Sequence, residues 1–163
     1  MTLALGTPEE KSQKDTLYQA NDVVSKGFYG YSSLAPGANG TLGTFVADQN
    51  YALVAVDITA QQANNSGARL EQAVLAWCKN EATVFTTPGS STPILLTLAG
   101  VVASVMTCVT ANPHNVTMFK KFDPYTVYLP KGSSLFLRAA NVGAVDDQAL
   151  YFVTNLFLMP TFV

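Results

Sequence analysis

Charge is scarce in this chain. Asp, Glu, Lys and Arg make up 12% of its 163 residues, about half the roughly 25% usual for soluble domains. The cations do not cluster, and Lys120-Lys121 is the longest basic run. Neutralising a row of phosphates needs grouped Lys and Arg, so a nucleic-acid partner is not expected. The net charge of −2 argues the same way. Histidine is nearly missing. His114 is the single example, and a Ser-His-Asp or Cys-His relay would have to run through it. It sits in the turn Asn112-Pro113-His114-Asn115, where a solvated side chain is the simpler reading.

Other signatures of chemistry are missing too. There is no Gly-x-Ser-x-Gly elbow. One histidine and two cysteines do not supply the ligand spacing of a zinc site. Asp146-Asp147 reads as a solvated loop pair rather than a calcium site. Gly37, Gly40 and Gly43 lack the Lys-Ser/Thr of a phosphate loop. No enzymatic activity, cofactor or metal is therefore expected. Long apolar runs are absent: Ile94 to Val109 is broken by Thr, Gly and Ser, so no membrane-spanning helix is expected. Met1 to Leu5 has no basic flank and too short an apolar core for a secretory signal. Asn39, Asn64 and Asn115 each head an Asn-x-Ser/Thr triplet, which a Thr-rich chain produces by chance. Cys78 and Cys108 both sit among apolar neighbours and read as buried thiols. Their spacing alone does not decide whether they pair.

What is present is strand pattern. Tyr125 to Asn141 reads as strand, turn, strand. Val127 and Leu129 fall two apart, as do Leu135 and Leu137, which puts each pair on one face of a pleated ribbon. Pro130-Lys131-Gly132 supplies the turn. Tyr51 to Ala60 alternates, with Val54, Val56 and Ile58 inward. Ala68 to Asn80 carries both helical and strand signals, and a hairpin returning through Thr83 to Thr87 is the reading preferred. Ile94 to Leu98, Val101 to Thr110, Val116 to Phe122 and Leu150 to Pro160 complete a set of eight or nine strands. A hairpin and a final strand cannot bury their own inner face. The expectation is an all-β fold, an antiparallel β-sandwich with jelly-roll character, over residues 44–163.

Residues 1–43 look different. Thr7-Pro8-Glu9-Glu10 is a helix start with capping-box spacing, and a short helix from Pro8 to about Gln19 follows from it. Beyond it, Gly and Pro mix with Phe28, Tyr29 and Tyr31. This stretch is expected to be an extended arm outside the sandwich, with those three aromatics as its partner-binding anchors. Trp77, alone in an apolar run, is expected in the core rather than stacked on a sugar.

The final strand is apolar on both faces: Tyr151, Val153, Phe157 and Met159 alternate with Phe152, Leu156 and Leu158. A strand with one wet face would alternate with polar residues. One face should meet the core and the other a neighbouring subunit, through Tyr151, Val153 and Phe157. Low surface charge points the same way, since neutral groups are cheaper to desolvate. A homo-oligomer is expected.

The segment Val127-Tyr-Leu-Pro-Lys-Gly-Ser-Ser-Leu-Phe-Leu, followed by a loop and a terminal apolar strand, resembles the second half of the tumour-necrosis-factor and complement jelly rolls. Ala73 to Phe85 resembles their Lys-Asn hairpin. The lack of a signal peptide suits the small jelly-roll virion proteins of tailed bacteriophages better. That resemblance implies a capsid cement or decoration subunit, trimeric, bound to the major capsid protein and made in the host cytoplasm. A receptor- or carbohydrate-binding fibre head, or a small viral coat protein, are the other functions such a fold serves.

Overall fold

The computed structural model describes residues 23–63, 72–81, 100–108, 115–123, 126–141 and 148–161. The expected helix at Pro8 to Gln19, the strands at Thr83 to Thr87 and Ile94 to Leu98, and His114, Asp146 and Asp147 lie outside them.

The described residues form nine strands and no helix. These are β1 Val24–Leu34, β2 Asn39–Val46, β3 Tyr51–Ala63, β4 Gln72–Cys78, β5 Val101–Cys108, β6 Asn115–Lys121, β7 Tyr128–Leu129, β8 Ser134–Asn141 and β9 Gln148–Pro160. One sheet runs β1-β9-β3-β6, with β7 also on β3; the other runs β2-β8-β4-β5. All pairings are antiparallel. The pairs nest: β4 with β5 innermost, then β3 with β6, β2 with β8, and β1 with β9. Two further pairings, β3 with β9 and β4 with β8, join the nested pairs into sheets.

The two inner faces make one core. Phe152, Thr154, Leu156 and Leu158 of β9 are buried, and so are Val56, Ile58 and Ala60 of β3. They meet Leu135 and Leu137 of β8 and Leu75 and Trp77 of β4 in one apolar cluster. In β3 the register slips between Leu53 and Ala55. This bulge puts Leu53, rather than Val54, fully into the core. Trp77 is completely buried.

The expected boundary at residue 43 does not hold for residues 24–43. This stretch builds β1, paired with β9 over its whole length, and most of β2. Its two-residue period is masked by small side chains. The residues of β1 turned toward the core are Phe28, Gly30, Ser32 and Leu34, of which only two are large and apolar. The small ones are needed. A Cβ at Gly30 would sit 3.1 Å from the Phe152 ring, and one at Gly43 would sit 3.1 Å from the Phe28 ring. Phe28 thus lies over the β2 backbone.

The expected hairpin at 125–141 is an arch instead. β7 pairs with β3 in one sheet and β8 lies in the other. Gly132 takes φ 85°, and Ser133 N–H donates to the Pro130 carbonyl at 2.9 Å. The turn is pinned from outside: Gly132 N–H donates to the Ala47 carbonyl at 2.7 Å, and Ala47 N–H to the Ser133 carbonyl at 2.9 Å. Leu129 and Leu135 both face the core, but from opposite sheets. A hairpin and an arch bury the same alternate residues, so the pattern alone does not separate them.

β4 is a strand, as preferred, but β5 is its hydrogen-bonded hairpin partner. In that register Cys78 stands opposite Val101 and Cys108 opposite Gln72, at opposite ends of the ladder. Six strand steps separate them, about 20 Å at 3.3 Å each. A disulfide needs Cα atoms within about 7 Å, so the two do not pair within the chain.

Candidate functional site

The first sheet has an outer face, and its rows can be read from the register. One row runs Tyr31, Tyr151, Gln61, Asn115 across β1, β9, β3 and β6; the next runs Tyr29, Val153, Thr59, Thr117. Strand alternation turns all eight side chains away from the core. Tyr29 is 84% exposed, Tyr31 57%, Tyr151 48% and Val153 53%, far more apolar surface than a solvated strand normally shows. The Tyr31 and Tyr151 rings pack at 4.8 Å between centroids. A shallow groove of about 450 Å³ lies here, floored by these tyrosines, Val153, Thr59 and Gln61. Neither row contains a charged side chain. The row beyond carries Asp57, whose carboxylate accepts the Asn155 backbone N–H at 2.6 Å and both oxygens contact Nδ2 at 2.9 and 3.0 Å.

The expected site residues divide here. Tyr29 and Tyr31, expected on an arm, share this face with Tyr151 and Val153, expected at an oligomer contact. Phe157 is half-buried and lies edge-on to Phe119, with centroids 6.2 Å apart. Phe28 departs from its expectation: it faces inward and meets Trp77 edge-on at 5.0 Å. Phe119, 56% exposed, was missed by the sequence reading. The alternation of Val116 and Met118 against Thr117 and Phe119 was the available signal.

A second cleft lies where β5 and β6 approach, lined by Lys79, Lys120, Lys121 and Asp123. Lys120 Nζ donates to the Val102 carbonyl at 2.9 Å and stands 5.1 Å from the Phe122 ring. The ammonium thus bridges the edges of the two sheets.

Two polar networks brace the sandwich elsewhere. Tyr51 donates to Asp48 Oδ1 at 2.7 Å and accepts from Gln49 Nε2 at 3.2 Å. The bond from Tyr51 holds the Asp48 carboxyl below its ordinary value. For Tyr51, the Gln49 bond pulls the phenol down, but burial and the bond and charge of Asp48 together push it up. Arg138, buried on the outer side of β8, donates to Thr41 Oγ1 at 2.6 Å and Asn39 Oδ1 at 2.8 Å. Its Nε has no partner. Thr41 in turn donates to Glu81 Oε1 at 3.3 Å, so one hydroxyl links the guanidinium to a carboxylate.

Among the described residues no three His, Cys, Asp or Glu side chains gather as metal ligands, and no helix is long and apolar enough to cross a membrane. No protein-family model matches this chain, and none of the curated proteins is similar to it in sequence.

Proposed function

We propose that this chain is a structural subunit of a virion, a cement or decoration protein that assembles as a homo-oligomer on a capsid. The observation that carries the reading is the pair of uncharged rows on the outer face, bearing Tyr29, Tyr31, Tyr151 and Val153. Aromatic side chains left in water on a flat sheet are characteristic of a contact surface. The nested strand pairs support a jelly roll, since a long antiparallel hairpin wrapped around one core gives this strand order. Capsid proteins are among the users of that fold, although fold alone does not fix function. The trimer and the major capsid protein as partner come from the resemblance described above.

The test is co-sedimentation with assembled phage capsids, alongside light scattering of the protein alone. Association with capsids and a mass above 17.4 kDa are expected. A monomer that ignores capsids overturns the reading.

One observation favours a second reading, a glycan-binding head. Tyrosine rings beside Thr59 and Gln61 offer stacking and neutral hydrogen bonds without charge. Retention on a neutral glycan array that Tyr29→Ala removes would replace the first reading with this one.

A further inference from the structure

We infer that β1 is the assembly edge, and that it pairs antiparallel with β1 of a second copy about a two-fold axis through Gly30. This rests on the assembly reading above, and it gives the contact a two-fold axis where the resemblance implied a three-fold one.

The two sheets have four edges, formed by β1 and by β6 with β7 in one and by β2 and β5 in the other. An exposed edge offers a row of unpaired backbone groups, and proteins blunt such edges with lysines, bulges or covering groups. β6 ends in Lys120 and Lys121, both exposed. β5 has its Val102 carbonyl taken by Lys120. β2 carries a register shift between Thr41 and Gly43. Among the described residues, β1 has none of these devices in its centre. It runs eleven residues in unbroken register with β9, without proline, and has no other hydrogen-bonded neighbour among the described strands. Its one charge, Lys26, stands toward one end.

The sequence of β1 is self-complementary about Gly30. With the axis there, Tyr29 stands opposite the partner's Tyr31, and Tyr31 opposite the partner's Tyr29. Residues directly opposite in an antiparallel pair share a face and interact. The Tyr31–Tyr151 ring pair would then continue across the axis, with three tyrosines from each copy forming one strip. The same register sets Lys26 opposite the partner's Leu34, so the two lysines avoid each other. Main-chain bonds supply the affinity of such strand addition, and alternate side chains its specificity.

The test uses the full chain. Wild type should show an even multiple of 17.4 kDa by light scattering at tens of micromolar. The double variant Tyr29→Lys, Tyr31→Lys should fall to the monomer mass with unchanged far-UV circular dichroism. Register is read separately. Tyr29→Cys and Tyr31→Cys proteins, mixed and oxidised, should give a crosslinked dimer that neither variant nor wild type gives alone. Opposed Cα atoms about 4.5–5.5 Å apart fall within the range a disulfide spans. A wild-type monomer overturns the inference. So does a trimer, or an oligomer that the lysine variant leaves intact, and either would leave the assembly reading standing. A wild-type monomer that still binds capsids also removes the dimer without removing the function.

Discussion

The indole N–H of Trp77 donates to the hydroxyl of Thr154 at 2.9 Å in the middle of the core. The hydroxyl donates onward to the Asp57 carbonyl at 2.5 Å. One buried chain of hydrogen bonds therefore links β4 of one sheet to β9 and β3 of the other. It is a polar fastening between the two sheets, and both side chains are fully buried.

Thr154→Val removes the acceptor and leaves a buried indole N–H without a partner. Such a loss costs about 1–3 kcal/mol. Trp77→Phe leaves the Thr154 hydroxyl its bond to Asp57 but opens a void. The double variant should therefore be less destabilised than the sum of the two, by about 0.5–3 kcal/mol. Urea denaturation of the four proteins measures this. Strict additivity would mean the hydrogen bond adds nothing to stability.

Truncation tests the part played by the first strands. Removing residues 1–22 retains all nine strands and should preserve a cooperative thermal transition. Removing residues 1–43 deletes β1, the Phe28 packing on Trp77 and most of β2. That protein should lose cooperative unfolding, followed by tryptophan fluorescence and near-UV circular dichroism. A normal transition in the longer deletion would mean that the β1–β9 ladder is dispensable.

The Asp48–Tyr51 pair makes stability depend on pH at both extremes. Asp48 titrates below 3.8 when folded. Its contribution is full above that value and is lost as pH falls through the lower folded pKa. Tyr51 titrates above 10.0 when folded. Its contribution is full below that and is lost as pH rises through the higher folded pKa. Tyr51→Phe should return the Asp48 carboxyl toward its ordinary titration, seen by carbon NMR. An unmoved midpoint would assign the shift to the neighbouring backbone instead.

Arg138 holds two acceptors on two residues of β2. Arg138→Lys offers a single ammonium that cannot span both, so a loss of about 1–3 kcal/mol is expected in denaturant titration. Arg138→Met should cost less, because it also removes a buried charge whose Nε is unmatched. The opposite order would show that the ammonium finds Glu81 directly.

How far the sequence revealed this structure depended on side-chain size. β9 and β8 were legible because large apolar residues fall at every second position. β1 was not, because its inward positions include Gly30 and Ser32, which carry no hydrophobic signal. The arch at Pro130–Ser133 was hidden because the side-chain period says which face is buried, not which sheet. β4 was ambiguous for a related reason. Val74, Ala76 and Cys78 are as buried as Leu75 and Trp77, so no polar residue marks a period of two. Of the outer face, Tyr151 and Val153 could be read from β9 alone. That Tyr29 and Tyr31 lie beside them required the pairing of strands more than a hundred residues apart.

The place of β9 has a consequence for synthesis. It lies between β1 and β3, hydrogen-bonded to both, and it is the last of the strands to leave the ribosome. Until then β1 lacks its one partner among the described strands, and β3 holds β6 and β7. The inner Phe28 and the outer tyrosines must wait beside an open slot one strand wide. Pairings across so long a sequence form slowly, and unpaired strands invite other chains meanwhile. A nascent chain stalled before Gln148 should therefore bind chaperones far longer than one released at full length.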